Sequence, residues 1–152
     1  KRQHGLDLII VDYVQLMTPD PSTAKSNPDT QLTKISRDLV IMAKELDVSI
    51  LALAQLNRGS ERHAGGVPRM SDVRGSGCFE QDWRTAILIH RPDLRDPEDD
   101  GGKSKGPQKA HDTRPQFIVG KNSEGETGRV PVQFVGERAM FRDLPEEAEG
   151  WS

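Results

Sequence analysis

Apolar and polar positions group into blocks along the chain, and the first blocks predict a strand, a helix and a second strand. The aliphatic run Leu8–Val11 and a second run within Val48–Gln55 are typical of strands buried on both faces of a parallel sheet. Between them, apolar residues recur at helical spacing over residues 28–46, with Asn27 as the N-cap and Pro28 at the first helical position. This order predicts a right-handed βαβ unit whose two strands run parallel.

The later blocks predict further strands separated by polar segments. The last two of these strands are expected to form a closing antiparallel pair. Residues 92–113 are rich in proline and charge and lack apolar content, which predicts a flexible insertion. We therefore expect one domain over residues 1–143, followed by an acidic tail at 144–152. The predicted strands are Thr85–His90, Gln116–Gly120, Arg129–Val135 and Arg138–Phe141.

Composition narrows the class of protein. The 152 residues, 34% hydrophobic and 30% charged, suffice for one domain with a hydrophobic core. No apolar run approaches the ~20 residues that cross a bilayer, so no membrane partner is expected. Cys78 is the only cysteine, which excludes a disulfide framework and a thiolate metal site and favours a cytoplasmic setting. The net charge of −3 means that nucleic-acid binding would require a local basic patch.

Two polar residues follow the strands of the βαβ unit. Asp12 comes directly after the first strand and Gln55 ends the second, so parallel strands would place both at one sheet edge. A carboxylate in this position holds Mg²⁺ against phosphates in nucleotide-hydrolysing folds. The alternative is an ordinary aspartate that caps the next turn.

A long loop at residues 56–71 is another candidate for function. It contains three glycines and three arginines, among them Arg58. Loops of this length without regular structure are usually functional or disordered. Two interpretations fit this composition: a solvated surface loop, or a mobile contact with a nucleic-acid backbone through the arginines.

Six blocks, in their order and spacing over residues 6–142, make the chain similar to one family. The chain resembles the C-terminal, RecA-like motor domain of DnaB-type replicative DNA helicases. The resemblance implies an α/β fold, part of a RecA-like P-loop ATPase core with a mostly parallel sheet flanked by helices and a C-terminal antiparallel hairpin. The blocks are LDLIIVDYVQLM, MAKELDV, LALAQLNR, SDVRGSGCFEQD, HRPD, and IVGKN followed by GRVPVQFVGERAMF.

The resemblance also implies a function. The full-length protein is expected to be an ATP-dependent DNA helicase that translocates on single-stranded DNA and unwinds duplex at the replication fork. It would act as a ring-shaped homo-hexamer, with ATP and Mg²⁺ as cofactors and with primase and a helicase loader as candidate partners.

Individual roles follow from the same resemblance. Asp12 matches the Walker-B aspartate, which acts on Mg²⁺ through water, and Gln55 matches a polar sensor that contacts the γ-phosphate. Lys121 matches a basic residue that reaches into the ATP site of the neighbouring subunit. Four consecutive residues match the loop that grips single-stranded DNA in the family, namely Arg74, Gly75, Ser76 and Gly77, and Arg58 of the preceding long loop is also expected to bind DNA.

The chain departs from the family pattern in its phosphate loop. The only GK[ST] string is Gly102-Lys103-Ser104, and Pro97 stands where a Walker-A loop needs glycine. We expect the phosphate loop to lie upstream, so the 152 residues are expected to be a piece of a longer protein and inactive alone.

Two further departures lie at single positions. Ser123 stands where the family has an arginine finger, and Gly75 stands where it usually has glutamate. They motivate an alternative, a degenerate RecA-like subunit that binds DNA or a partner ring without hydrolysing ATP. A third interpretation is a RecA-family recombination or clock-type ATPase, which the block Gln55–Arg58 disfavours by resemblance. Trp83, where a small or acidic residue is usual, is expected to pack in the core.

Overall fold

The computed structural model describes residues 5–19, 21–23, 25–57, 66–73, 75–92 and 114–144. These residues fall into two compact units, the first within Lys1–Ser60 and Arg69–Arg84 and the second within Glu61–Pro68 and Thr85–Ser152. In chain order, the helices and strands are β1 (Leu8–Val11), α1 (Pro28–Leu46), β2 (Ser49–Ala52), α2 (Ser76–Asp82), β3 (Thr85–His90), β4 (Gln116–Asn122), β5 (Gly128–Pro131), β6 (Gln133–Val135) and β7 (Met140–Arg142).

The first unit contains the predicted βαβ arrangement. Strands β1 and β2 pair in parallel, and Val11 lies opposite Ala52 at the end of the register. Backbone bonding continues past the strands, since the N–H of Leu53 donates to the oxygen of Val11 at 2.9 Å. Strand β2 is shorter than the predicted range Val48–Gln55. Residues 53–55 of that range follow the strand, and Leu53 accepts a backbone hydrogen bond from Val14 in the turn after β1.

Helix α1 has the predicted bounds, and its ends explain why. The Asn27 side chain accepts a hydrogen bond from the N–H of Thr30 at 2.8 Å, and Pro28 occupies the first turn. Asp47 adopts the left-handed conformation that ends the helix. The buried face consists of Leu32, Ile35, Ser36 and Leu39.

The expectation that the β1 and β2 strands are buried on both faces is wrong for this structure. Helix α1 packs on the unit, but alternate aliphatic side chains of the strands face solvent. Because successive strand residues point to opposite faces, these side chains share one face. No described residue covers that face enough to bury it. Its exposed residues are Leu8 at 48%, Ile10 at 61%, Leu51 at 55% and Leu53 at 42%.

Helix α2 is not evident from the sequence, where residues 72–82 form a short mixed block. Phe79 is 1% exposed, and its ring centroid lies 4.4 Å from that of Trp83. Trp83 itself is half-buried, so it packs against the core residue Phe79 without being part of the buried core. The Ser36 hydroxyl donates to the Asp82 carboxylate at 3.1 Å and so joins α1 to α2. Neither α-helix in the described part of the chain has the length and apolarity that a membrane span requires.

The second unit contains the antiparallel strands. Strand β3 has its predicted bounds and pairs with β4, which extends two residues beyond the predicted Gly120. The single strand predicted at Arg129–Val135 is wrong, because it divides into β5, which pairs with β4, and β6, which pairs with β7. Strand β5 ends at Pro131, which has no N–H for a ladder. The N–H of Val132 still donates to the oxygen of Pro115 at 2.8 Å, beside the start of β4, and the chain then pairs with β7 as β6.

The closing hairpin is confirmed as the β6–β7 pair, joined through a 3₁₀ turn at Gly136–Arg138. The Phe141 ring lies 4.8 Å from that of Phe117 and 4.9 Å from that of Phe134, which fixes the hairpin in its unit. The α/β class is confirmed. Among the described strands, β1 and β2 form a parallel pair connected through α1, whereas β3–β4, β4–β5 and β6–β7 are antiparallel, so parallel pairing is the minority there. Most of the predicted insertion (93–113) and tail (145–152) lies outside the described residues.

Candidate functional site

Asp12 is the first residue after β1 and is exposed at the C-terminal edge of the strand. The peptide bond between Asp12 and Tyr13 is cis. The chain then turns through a 3₁₀ segment at Val14–Leu16, whose cap residue is Tyr13, and that cap makes no side-chain hydrogen bond. The alternative interpretation of Asp12 as the cap of this turn therefore has no support in the described residues.

Gln55 lies three residues past the end of β2, at the same edge of the sheet as Asp12. Since β1 and β2 are parallel and in register at Val11 and Ala52, both strands deliver their next residues to one side. The N–H of Val14 donates to the oxygen of Leu53 at 2.9 Å, which keeps the two segments together beyond the strands. The predicted meeting of the two strand ends is confirmed, while the chemical roles of Asp12 and Gln55 stay predictions.

A residue that the sequence analysis missed joins the two segments. The side-chain amide of Gln15 donates to the main-chain oxygen of Gln55 at 3.2 Å and accepts from its N–H at 3.2 Å. The two residues are 40 positions apart, so local pattern could not reveal the contact. The only signal in the sequence is a polar residue in the otherwise apolar turn Val14–Leu16.

The segment after Gln55 is bonded to the segment before the predicted DNA loop. Leu56 forms an antiparallel bridge with Val73, and the N–H of Asn57 donates to the oxygen of Asp72 at 2.7 Å. The buried carboxylate of Asp72 accepts from the N–H of Arg69 at 2.7 Å. A displacement of the main chain at Gln55 would therefore reach residues 72 and 73 through backbone hydrogen bonds.

The predicted DNA loop at residues 74–77 is partly helical. Gly75 is the N-cap of α2 with φ +75°, and Ser76 and Gly77 begin the helix, so the expectation of a loop over these two residues is wrong. A Cβ on Gly75 would lie 3.3 Å from two atoms of Leu32, which explains glycine at this position. Arg74 and Arg58 lie outside the described residues.

Lys121 belongs to the second unit, next to the last residue of β4 and opposite Ala86 on β3. The turn that follows is organised by Asn122, whose side chain accepts from the N–H of Glu124 at 3.2 Å and donates to the oxygen of Glu126 at 3.4 Å. Ser123 is exposed in this turn. The turn thus presents residue 123 to solvent while its own side-chain contacts hold the backbone.

The candidate metal ligands among the described residues are single carboxylates. Among them, no group of three or more histidine, cysteine, aspartate or glutamate side chains is placed to hold a metal ion. Asp12 supplies an exposed carboxylate at the sheet edge, and carboxylate oxygen is a ligand that Mg²⁺ accepts together with water and phosphate oxygens. The residue fits the expected Mg²⁺ chemistry.

Comparison with known proteins identifies the family. The family model of the DnaB-like helicase C-terminal domain matches residues 1–143. The chain is 36% identical over 144 residues to replicative DNA helicase DnaB of Leifsonia xyli subsp. xyli, which covers 95% of this chain and 29% of that protein. It is 39% identical over 144 residues to replicative DNA helicase DnaB of Mycobacterium leprae, with 95% of this chain and 22% of that protein covered.

Solved structures agree. A DnaB-like replicative helicase, described with its interactions with primase, matches with a TM-score of 0.74 and 32% identity over 95% of this chain and 32% of that one. A second solved chain, described as an ATPase domain, matches with a TM-score of 0.73 and 32% identity over 95% of this chain and 47% of that one. The RecA-like fold is confirmed, and the chain spans less than half the length of each of these four proteins.

Proposed function

Because the chain belongs to the DnaB-like helicase C-terminal domain family, we propose that it is part of the motor domain of a replicative, ATP-dependent DNA helicase. The observation that carries the proposal is the parallel β1–β2 register, which brings Asp12 and Gln55 to one sheet edge. This is the edge at which open α/β sheets bind their ligands. A role in DNA replication also favours a cytoplasmic location.

We propose that Asp12 binds the Mg²⁺ ion that accompanies ATP and that Gln55 senses the γ-phosphate. Asp12 would hold Mg²⁺ through a water molecule, and the ion supplies charge neutralisation to the β- and γ-phosphates when bound. Gln55 would contact the γ-phosphate through its amide, which can donate or accept a hydrogen bond without changing the charge of the site. The presence or loss of the γ-phosphate then becomes a change in the hydrogen bonding of Gln55.

The backbone bonds downstream of Gln55 give this change a route to DNA. The Leu56–Val73 bridge and the bond from Asn57 to Asp72 connect the nucleotide edge to the segment that enters Gly75. We propose that residues 74–77, with Arg58, bind single-stranded DNA, with arginine charge and backbone N–H groups contacting phosphates. A translocation step would then be a shift of residues 55–57 together with residues 72 and 73, which we call the connected segment.

Lys121 is proposed to act in trans, at the ATP site of the next subunit in a homo-hexamer. A cation there stabilises charge that develops during phosphoryl transfer. Ser123 cannot supply a guanidinium, so Lys121 would be the cation of this turn. Primase and a helicase loader are proposed partners; the solved relative described with primase supports the first.

Ser123 also supports a second candidate function. A fully degenerate subunit would bind DNA or a partner ring without turning over ATP. The two candidates differ in ATP turnover by the full-length protein in the presence of single-stranded DNA.

The test compares Asp12→Asn with Asp7→Asn in the full-length protein. Asp7 is an aspartate just before β1, so it provides a matched control at the opposite end of the strand. We expect Asp12→Asn to lower DNA-stimulated ATP turnover by about a hundredfold or more, because the carboxylate that holds Mg²⁺ is lost. Asp7→Asn should leave turnover unchanged. The isolated 152 residues, which lack a phosphate loop, should show no turnover.

Two outcomes would contradict the proposal. Equal turnover by the wild type and Asp12→Asn would remove the Walker-B role from Asp12. A wild-type protein that binds single-stranded DNA but does not hydrolyse ATP would favour the degenerate subunit.

A further inference from the structure

The segment after β1 turns away from the parallel ladder earlier than the segment after β2 does. After β1 it turns at Val14–Leu16, and the last backbone bond between the segments runs from the N–H of Val14 to Leu53. Gln55, two residues later, presents its N–H and C=O on the same side of its strand as Leu53. In the part of the chain that the structure describes, no backbone group of the turned segment receives them.

The Gln15 side chain takes the place of the missing backbone. Its Nε2 donates to the Gln55 oxygen and its Oε1 accepts from the Gln55 N–H, each at 3.2 Å. A primary amide has one donor and one acceptor side, as a peptide group does, so it can extend a ladder by one further pair of bonds. Glutamate lacks the donor, asparagine is one methylene shorter, and leucine offers neither bond.

We propose that Gln15 is a positioning residue that holds the main chain of Gln55 so that its side chain reaches the γ-phosphate. The inference rests on the proposed function, since it assigns Gln15 a role through the proposed sensor. Gln55 is exposed, and the next residue, Leu56, is held by its bridge to Val73. Gln15 therefore fixes the start of the connected segment and Val73 fixes its continuation.

The first experiment measures ATP turnover by the full-length protein with single-stranded DNA. Gln15→Leu removes both bonds, and Gln15→Glu removes the donor while keeping the shape. We expect kcat to fall by about tenfold in Gln15→Leu, with KM for ATP within about twofold, because the fraction of correctly placed Gln55 falls while the nucleotide pocket is kept. Gln15→Glu should also lower kcat, since a carboxylate oxygen would face the Gln55 carbonyl.

Thr33→Val is the matched control. Thr33 also donates from its side chain to a main-chain oxygen, that of Asp29, at 2.8 Å, but it lies on α1 and is not among the residues that line the cavity beside Gln15. Its loss should leave kcat and KM within about twofold of the wild type. A fall in kcat equal to that of Gln15→Leu would overturn the proposal, because the effect would then belong to any lost side-chain bond.

A double-mutant cycle separates positioning from general support of the fold. In the Gln55→Ala background, Gln15→Leu should cause no further loss of kcat, because the side chain that Gln15 positions is gone. An equal loss in both backgrounds would overturn the proposal. So would loss of hexamer assembly by both Gln15→Leu and Gln15→Glu, since the role would then be structural.

Hydrogen exchange gives a readout that does not depend on activity. The amide of Gln55 should exchange faster in Gln15→Leu than in the wild type, because its acceptor is gone. Unchanged exchange would overturn the proposal. A wild type that hydrolyses ATP, with Gln55→Ala impaired and Gln15→Leu unimpaired, would overturn this inference alone. A wild type without ATP turnover would instead overturn the proposed function.

Discussion

The sheet edge at β1–β2, with Asp12 and Gln55, and the end of β4 with its following turn, near Lys121, both hold proposed functional residues, but they are stabilised by different kinds of contact. The first depends on residues 40 positions apart, where Gln15 bonds to Gln55, and on the Leu56–Val73 bridge. The second depends on Asn122 and on neighbours within four positions of it. Contacts between distant segments can pass a backbone displacement from one segment to the other. Contacts within one turn leave neighbouring side chains free to be substituted.

Ser123 and Gly75, the two departures from the family pattern that the resemblance implies, lie in different surroundings. Ser123 lies exposed in the local turn, whose bonds are made by Asn122, so its side chain can vary without cost to the fold. Gly75 lies where α2 approaches α1, and its backbone conformation and the nearby Leu32 restrict what can replace it. Substitutions at residues 123 and 75 should therefore differ in their cost to the fold.

Among substitutions that test this comparison, the largest expected effect comes from Ser123→Arg. If Lys121 acts at the neighbouring ATP site, an added guanidinium two residues later should raise ATP turnover of the full-length protein by about tenfold or more, since arginine fingers contribute on the order of 10³-fold or more. DNA-stimulated ATP hydrolysis measures the effect. Ser123→Gln, of similar length but uncharged, is the control and should change turnover little. Equal turnover of both variants would show that this turn does not face a nucleotide.

A smaller effect is expected at the junction of the two helices. Gly75→Ala should destabilise the domain by about 1–3 kcal/mol, because alanine is strained at φ +75° and its Cβ would crowd Leu32. Gly77→Ala is the control; a Cβ there meets nothing within 4 Å, and alanine favours helix, so it should be neutral or stabilising by up to about 1 kcal/mol. Calorimetric unfolding of the full-length protein measures both. Equal midpoints for the two variants would contradict the observed backbone at residue 75.

The smallest effect is expected for Asn122→Ala. Loss of its two bonds to the turn should cost about 1 kcal/mol, because both lie at the surface. The affinity for single-stranded DNA, measured by fluorescence anisotropy, should stay at the wild-type value. Asn122→Asp keeps the acceptor for the N–H of Glu124 and should lose less stability. A large loss of DNA affinity in Asn122→Ala would show that the contacts of Asn122 affect more than the turn itself.

Local pattern was sufficient for the elements whose signals lie within one segment. Asn27, Pro28 and the apolar spacing defined α1 at both ends, and the aliphatic runs defined β1 and β3. The order of these elements was enough to predict the parallel pair, and with it the shared edge of Asp12 and Gln55.

Features that depend on distant partners were not predictable. The division of the predicted strand 129–135 depends on two different partners, since β5 pairs with β4 and β6 pairs with β7, and apart from Pro131 the sequence of these residues carries no sign of it. Helix α2 has glycine at its cap and within its first turn, which lowers local helix propensity, and it is stabilised by the burial of Phe79. The role of Gln15 required knowledge of which main chain lies beside it.

The uncovered aliphatic face of the β1–β2 pair has a practical consequence. Its exposed hydrophobic patch consists of Leu8, Ile10, Leu51 and Leu53. Contiguous apolar surface of this kind promotes association in water. A preparation of these 152 residues alone should form larger particles as its concentration rises. Threonine or lysine at those positions would improve solubility without altering the carboxylate at residue 12.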